Sequence, residues 1–123
     1  MGEHTSRLST TAVATILSGA AVSDAIDLKD YVIAALMIPS AWTAAALTFT
    51  GCDTPGGAFL PLYDDAGTEV TVASASVASD RILVNKAVLE QLAAVRWLKI
   101  RSGVLATPVN QAADRVIKVM LKS

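Results

Sequence analysis

Hydrolysis by a serine or cysteine nucleophile needs a general base within hydrogen-bond reach, most often histidine. This chain of 123 residues has one, His4, in a polar segment that precedes the first apolar run. Asp64, Asp65 and Glu69 could be read as a carboxylate pair for glycoside hydrolysis or as oxygen ligands for calcium. Their spacing does not match the repeating Asp pattern of a calcium loop, and Asp-Asp-Ala-Gly at the end of a strand is ordinary turn chemistry. Gly56-Gly57 lacks the lysine and the helix start of a phosphate loop. Cys52 is the only cysteine, so a disulfide or a cysteine-based zinc site cannot be built within one chain, as fits folding in a reducing cytoplasm. These residues assign no catalytic, cofactor-binding or metal-ligating role, and no cofactor is expected; the reading is of a noncatalytic protein.

Arg96, Lys99, Arg101 and Arg115 could touch phosphates, and Trp97 shares strand parity with Lys99 and Arg101, as a stacking-plus-charge surface for single strands would require. The formal net charge of −1 supplies no long-range pull toward nucleic acid or anionic lipid, so neither partner is expected. The same low charge leaves little self-repulsion against association. Acidic residues dominate the middle (Asp24, Asp27, Asp30, Asp53, Asp64, Asp65, Glu69) and basic ones the end (Arg96, Lys99, Arg101, Arg115, Lys118, Lys122). That asymmetry could let acidic and basic faces meet between copies; the alternative is a set of separately solvated strand faces and turns. The apolar stretch at residues 11–22 is broken by Thr15, Ser18 and Gly19 and is too short to span a bilayer, so neither export nor membrane insertion is expected.

The elements behind these residues read as strands. Two late runs, residues 96–101 and 115–121, alternate charged or polar residues with large apolar ones, the pattern of antiparallel structure with one wet face. Residues 31–38 form a nearly unbroken apolar run, predicted as a central strand covered on both sides and ended by Pro39. Leu47 and Phe49 alternate with Thr48 and Thr50 in a half-buried strand. Residues 21–28 predict a strand with Ser23 and Asp24 turned outward. Residues 10–17 favour a strand through their β-branched content, with a helix as the alternative. Turn chemistry at Gly67 predicts a hairpin, Arg81-Ile82-Leu83-Val84 a short strand, and Asn85 the cap of a short helix through Leu92. Trp42 is read as plugging the end of the sandwich, with an interface anchor as the alternative.

Residues 1–9 are expected to be a flexible N-terminal arm and residues 10–123 one β-sandwich domain. The expected fold is all-β: an antiparallel β-sandwich, jelly-roll-like, with at most one short helix. Loops at residues 51–58 and 102–114, the second read as a projection with shape of its own, are the first candidates for partner contact.

With these strands in place, the runs IPSAWTAAALTF (residues 38–49), LYDDAGTEV (62–70), WLKIRSG (97–103) and PVNQAADR (108–115) together resemble a group of small β-sandwich virion structural proteins of tailed phages and prophages. The resemblance spans about residues 20–121. It implies a capsid decoration or cement protein that binds the assembled shell, is made in the host bacterial cytoplasm and resides in the virion. Its partner would be the major capsid protein or another virion structural protein, and the chain would form a homo-oligomer, with a trimer as one form. The alternatives are a neck or tail component, or a carbohydrate-binding β-sandwich that stacks sugars on Trp42, Trp97 or Tyr63.

Overall fold

The computed structural model describes residues 9–123. Residues 1–8, and with them His4 and nearly all of the expected arm, lie outside the described residues. Ser9, assigned to that arm from sequence, instead opens the first strand.

The chain forms an antiparallel β-sandwich. Its first sheet contains β1 (Ser9–Ile16), β3 (Val32–Ile38), β7 (Arg81–Leu83) and β10 (Arg115–Lys122), in the spatial order β1-β10-β3-β7. The second contains β2 (Ile26–Asp27), β4 (Leu47–Cys52), β5 (Leu60–Pro61), β6 (Thr71–Val72) and β8 (Trp97–Val104). Its order is β2-β8-β4-β5, with β6 also pairing β4 and the short β9 (Thr107–Pro108) folding back on β8. Counting β5 and β6 as one position and β9 as an extension of β8, successive strands run first-eighth-third-sixth in one sheet and second-seventh-fourth-fifth in the other. That ordering is a jelly roll. The single α-helix among the described residues, α1 (Lys86–Gln91), starts where Asn85 accepts a hydrogen bond from the Val88 amide.

Period-two alternation fills the space between the sheets. Ala14, Ile16, Leu36, Ile38, Ile117, Val119 and Leu121 come from the first sheet and Leu47, Phe49, Leu98 and Ile100 from the second, in one continuous buried cluster. Each large side chain in it stabilises the fold by roughly 1.5–3 kcal/mol relative to exposure. Trp42 is buried as a plug, its indole N–H directed at the Ala45 carbonyl. Gly103 sits at φ +90°, where a Cβ would stand 2.6 Å from the Val109 amide nitrogen and 2.7 Å from the Thr107 oxygen. Only glycine fits there, and the β8–β9 hairpin closes because of it.

Residues 10–16 lie in the strand that their β-branched content favoured; its inward residues are Ala12, Ala14 and Ile16, while Val13 faces solvent. Several expectations need correction. β4, read as half-buried, is buried on both sides, Thr48 and Thr50 included. β3 is central in its sheet but is covered on one side only: Val32 is exposed and Met37 half-buried. Its pairing with β10 shifts between Met120 and Leu121, because Ala34 is an extra residue that bulges the strand. Ser23 is buried, accepting from the Ile100 amide and donating to the Asp24 carbonyl. Regular pairing in the stretch 21–28 is confined to β2 and a bridge between Val22 and Arg101.

Candidate interaction surface

The outer side of the four-stranded sheet follows from its registers. Val13 pairs with Lys118, Lys118 with Met37, and Met37 with Ile82, a row crossing all four strands. The adjacent row is Thr11, Met120 and Ala35, and on the other side Thr15 pairs with Val116. Partners directly opposite share a face, so this surface is mostly Val, Met, Ile, Ala and Thr around Lys118. Val13 is 46% exposed, Val116 43% and Ile82 53%. A groove of about 440 Å³ opens on it, lined by Met37, Ile82, Val116, Pro39 and Ile38 together with Lys118, Arg81 and Asp80. Contiguous apolar area left open on a soluble protein marks a contact surface more often than isolated exposed residues do.

Beside this face runs the free edge of β1. The Thr15 carbonyl accepts from the Asp24 amide at 3.2 Å and the Thr15 amide donates to Asp24 Oδ1 at 2.8 Å. Thr15 therefore points its backbone away from β10, and the alternation of an antiparallel ladder points Val13, Thr11 and Ser9 the same way. Among the described residues nothing pairs with those three N–H and three C=O groups. The remaining edges are short: β2, β5 and β6 have two residues each and β7 has three. Brevity is one of the ways sheets protect an edge, and β1 does not use it.

The outside of the second sheet is built differently. Arg101 Nη1 lies 3.2 Å from Glu69 Oε2, with side chains 8% and 15% exposed. Thr48 donates to the Gly103 carbonyl at 2.7 Å and accepts from Arg101, and the Leu105 amide donates to Glu69 Oε1. A pair so nearly desolvated gains from further hydrogen bonds, which Thr48 supplies to Arg101 and the Leu105 amide to Glu69. Lys99 Nζ sits 4.5 Å from the Phe59 ring centroid, a cation–π contact. Farther along, Arg96 forms a two-pronged pair with Asp27, including Nη2 to Oδ2 at 3.0 Å. The hydrogen bond from Arg96 holds the Asp27 carboxyl below its ordinary range, and the same contact raises Arg96.

These pairings redistribute the charges singled out in the sequence. Arg101 and Arg96 find Glu69 and Asp27 inside the same chain. Arg115, on the inward parity of β10, is buried and donates to Gln111 Oε1 at 3.1 Å. Trp97, Lys99 and Arg101 do share a face, yet Arg101 is sealed from solvent there. The middle-to-end charge asymmetry is thus partly spent within one molecule.

The expected loop at 102–114 is not a free projection: Ser102 belongs to β8, β9 interrupts it, and Gln111 anchors its end. Gln111 is 1% exposed. Its Oε1 accepts from the Thr43 amide and Arg115, and its Nε2 donates to the Thr43 carbonyl and Ser102 Oγ. Its backbone bonds Ala20 and Gly19, so one residue, through side chain and backbone together, ties three connections to two strands. Of the expected loop 51–58, Gly51 and Cys52 belong to β4; the remainder is exposed, and a Cβ added at Gly57 would stand only 2.5 Å from Cys52 Sγ, so the loop folds close over that thiol. Asp64 Oδ1 accepts from the Ala66 and Thr68 amides at 2.9 Å each, the turn chemistry expected of it. Of the residues considered for sugar stacking, Trp42 is enclosed, whereas Trp97 is half-buried and Tyr63 is 52% exposed.

No family model, curated protein or solved structure matches the chain. Among the described residues no helix is long and apolar enough to cross a membrane. The open face and edge were missed by sequence reasoning, which looked to loops. Their signal was Val13, Val116 and Met120, apolar residues out of phase with the buried positions of their own strands.

Proposed function

We propose that the chain is a noncatalytic structural subunit of a phage or prophage virion, most specifically a decoration protein, and that it docks on the assembled shell through the outer face of its four-stranded sheet. The observation that carries this reading is the row Val13–Lys118–Met37–Ile82, with Val116 beside it: a broad apolar surface on a rigid sheet. The partner it fits is a shell subunit presenting an apolar ridge, with an acidic group placed to meet Lys118 and Arg81 in the lining of the groove. The jelly roll agrees by analogy, since viral capsid domains use it, although lectins and cupins do too. In the cell the protein is made in the bacterial cytoplasm and ends in the virion.

Cosedimentation tests the reading. The purified chain should pellet with assembled capsids and not with unassembled major capsid protein. The double variant Ile82→Glu/Val116→Glu should lose that association while keeping the parent far-UV circular dichroism. Equal pelleting of parent and folded variant would refute the assigned face, and binding to isolated neck or tail complexes instead of capsids would move the protein to those structures.

A further inference from the structure

We infer that two copies of this chain pair through β1, antiparallel and edge to edge, about a two-fold axis at Thr11. Three observations converge on a second copy as the occupant of that edge. The first is the row of backbone groups on Ser9, Thr11 and Val13 that nothing pairs among the described residues. Those groups sit on a regular eight-residue strand, and eight residues is long for an edge left uncovered.

The second is charge. No charged residue occurs between Arg7 and Asp24, so β1 carries none of the lysines or inward charges that keep edge strands apart. Two identical strands can therefore meet with no like charges opposed, and a net charge of −1 adds little long-range repulsion.

The third is register, and Asp24 sets it. Because Asp24 occupies both outward groups of Thr15, pairing must stop short of that residue. Centring the axis on Val13 would place Thr11 of one copy against the blocked Thr15 of the other. Centring it on Thr11 sets Thr11 against its mate and Ser9 against Val13 on either side, and every outward N–H and C=O of the three residues then finds a partner. The contact is isologous and closes at two copies. It joins the two four-stranded sheets into one, and the outer-face side chains of Thr11 and Val13 become continuous with those of the second copy.

This pairing does not depend on shell docking, and its test contains no capsid. Light scattering on the purified full chain should give twice the chain mass at micromolar to millimolar concentrations, falling toward the monomer on dilution. Thr11→Pro removes an N–H that β10 does not use, a change edge strands tolerate, and should give the monomer with unchanged circular dichroism. If Thr11→Pro fails to fold, Thr11→Lys, which sets two cations face to face on the axis, should also give the monomer. In a Cys52→Ser background, oxidation of Thr11→Cys should link most chains as dimers, while Ile82→Cys, on the opposite edge of the sheet, should not. A parent that is monomeric throughout the range, a folded Thr11 variant that remains dimeric, or faster crosslinking at Ile82 would each overturn the proposal.

Discussion

On the outside of the four-stranded sheet, Val13, Met37, Ile82 and Val116 meet solvent around Lys118, whereas on the outside of the other sheet Arg101 and Glu69 are nearly sealed from it. Both surfaces come from strands with the same period of two. The difference is what crosses over them. Residues around β6 bring Glu69 across Arg101 and Thr48, and the segment before β5 brings Phe59 over Lys99. Nothing comparable crosses the first sheet among the described residues, so the side that looks more soluble by composition is closed and the apolar side is open. An exposed charge interacts cheaply with water, and exposed apolar area gains free energy when it is covered. A contact surface is therefore sought on the first sheet.

The largest effect should separate the two sides of β10. Ile117→Ala is expected to cost about 4 kcal/mol, from lost burial and the cavity left behind. Val116→Ala, one residue earlier and facing out, should cost less than about 0.5 kcal/mol. Urea unfolding of both variants checks this, and equal costs would mean that the outer face is packed against something in solution. Next, Glu69→Ala leaves Arg101 enclosed without its partner and should destabilise by about 3 kcal/mol, read by the same denaturation. If the loss is only a few tenths, the second sheet's outer face is wetter than its geometry indicates.

A smaller effect of opposite sign is expected at Thr50. Its hydroxyl is buried, with no hydrogen-bond partner among the described residues. Thr50→Val should raise stability by about 1 kcal/mol, since an unsatisfied hydroxyl is replaced by a methyl of similar shape. A destabilised variant would show that the hydroxyl is paired in solution. The smallest effect belongs to the exposed pair of Asp27 and Arg96. The folded-state pKa of Asp27 is lowered from 3.8, chiefly by the Arg96 hydrogen bond. Its contribution is therefore fully present above the unfolded value and is lost as pH falls through the folded one. Parent and Asp27→Asn should differ modestly in melting temperature at pH 7 and converge in strong acid, and a gap that widens on acidification would reverse the assigned sign.

Legibility varied along the chain for reasons that particular residues make plain. The position of the strand at Leu47 and Phe49, the turn at Asp64, the Asn85 cap and the Trp42 plug could all be read directly, because each depends on neighbours within a few positions, although that strand's second buried side, Thr48 and Thr50, could not. Arg115 could not. It shares the inward parity of Ile117, Val119 and Leu121, and its charge is tolerated there because Gln111 and Thr43 arrive from elsewhere to receive it. Loop 102–114 was misjudged for the same reason, since Gln111 is a polar residue in a polar stretch until Thr43, Ser102 and Arg115 surround it.

By itself, then, the amino-acid order determined the β class, most strand positions and the local turns. Those properties depend on residue type and short-range spacing. Tertiary structure alone decided which parity of each strand is wet, which charges are spent on one another, and which of the sheet edges remains open. Alternation specifies that a strand has two sides, and only the segments that pack across it from distant positions choose which of them water reaches.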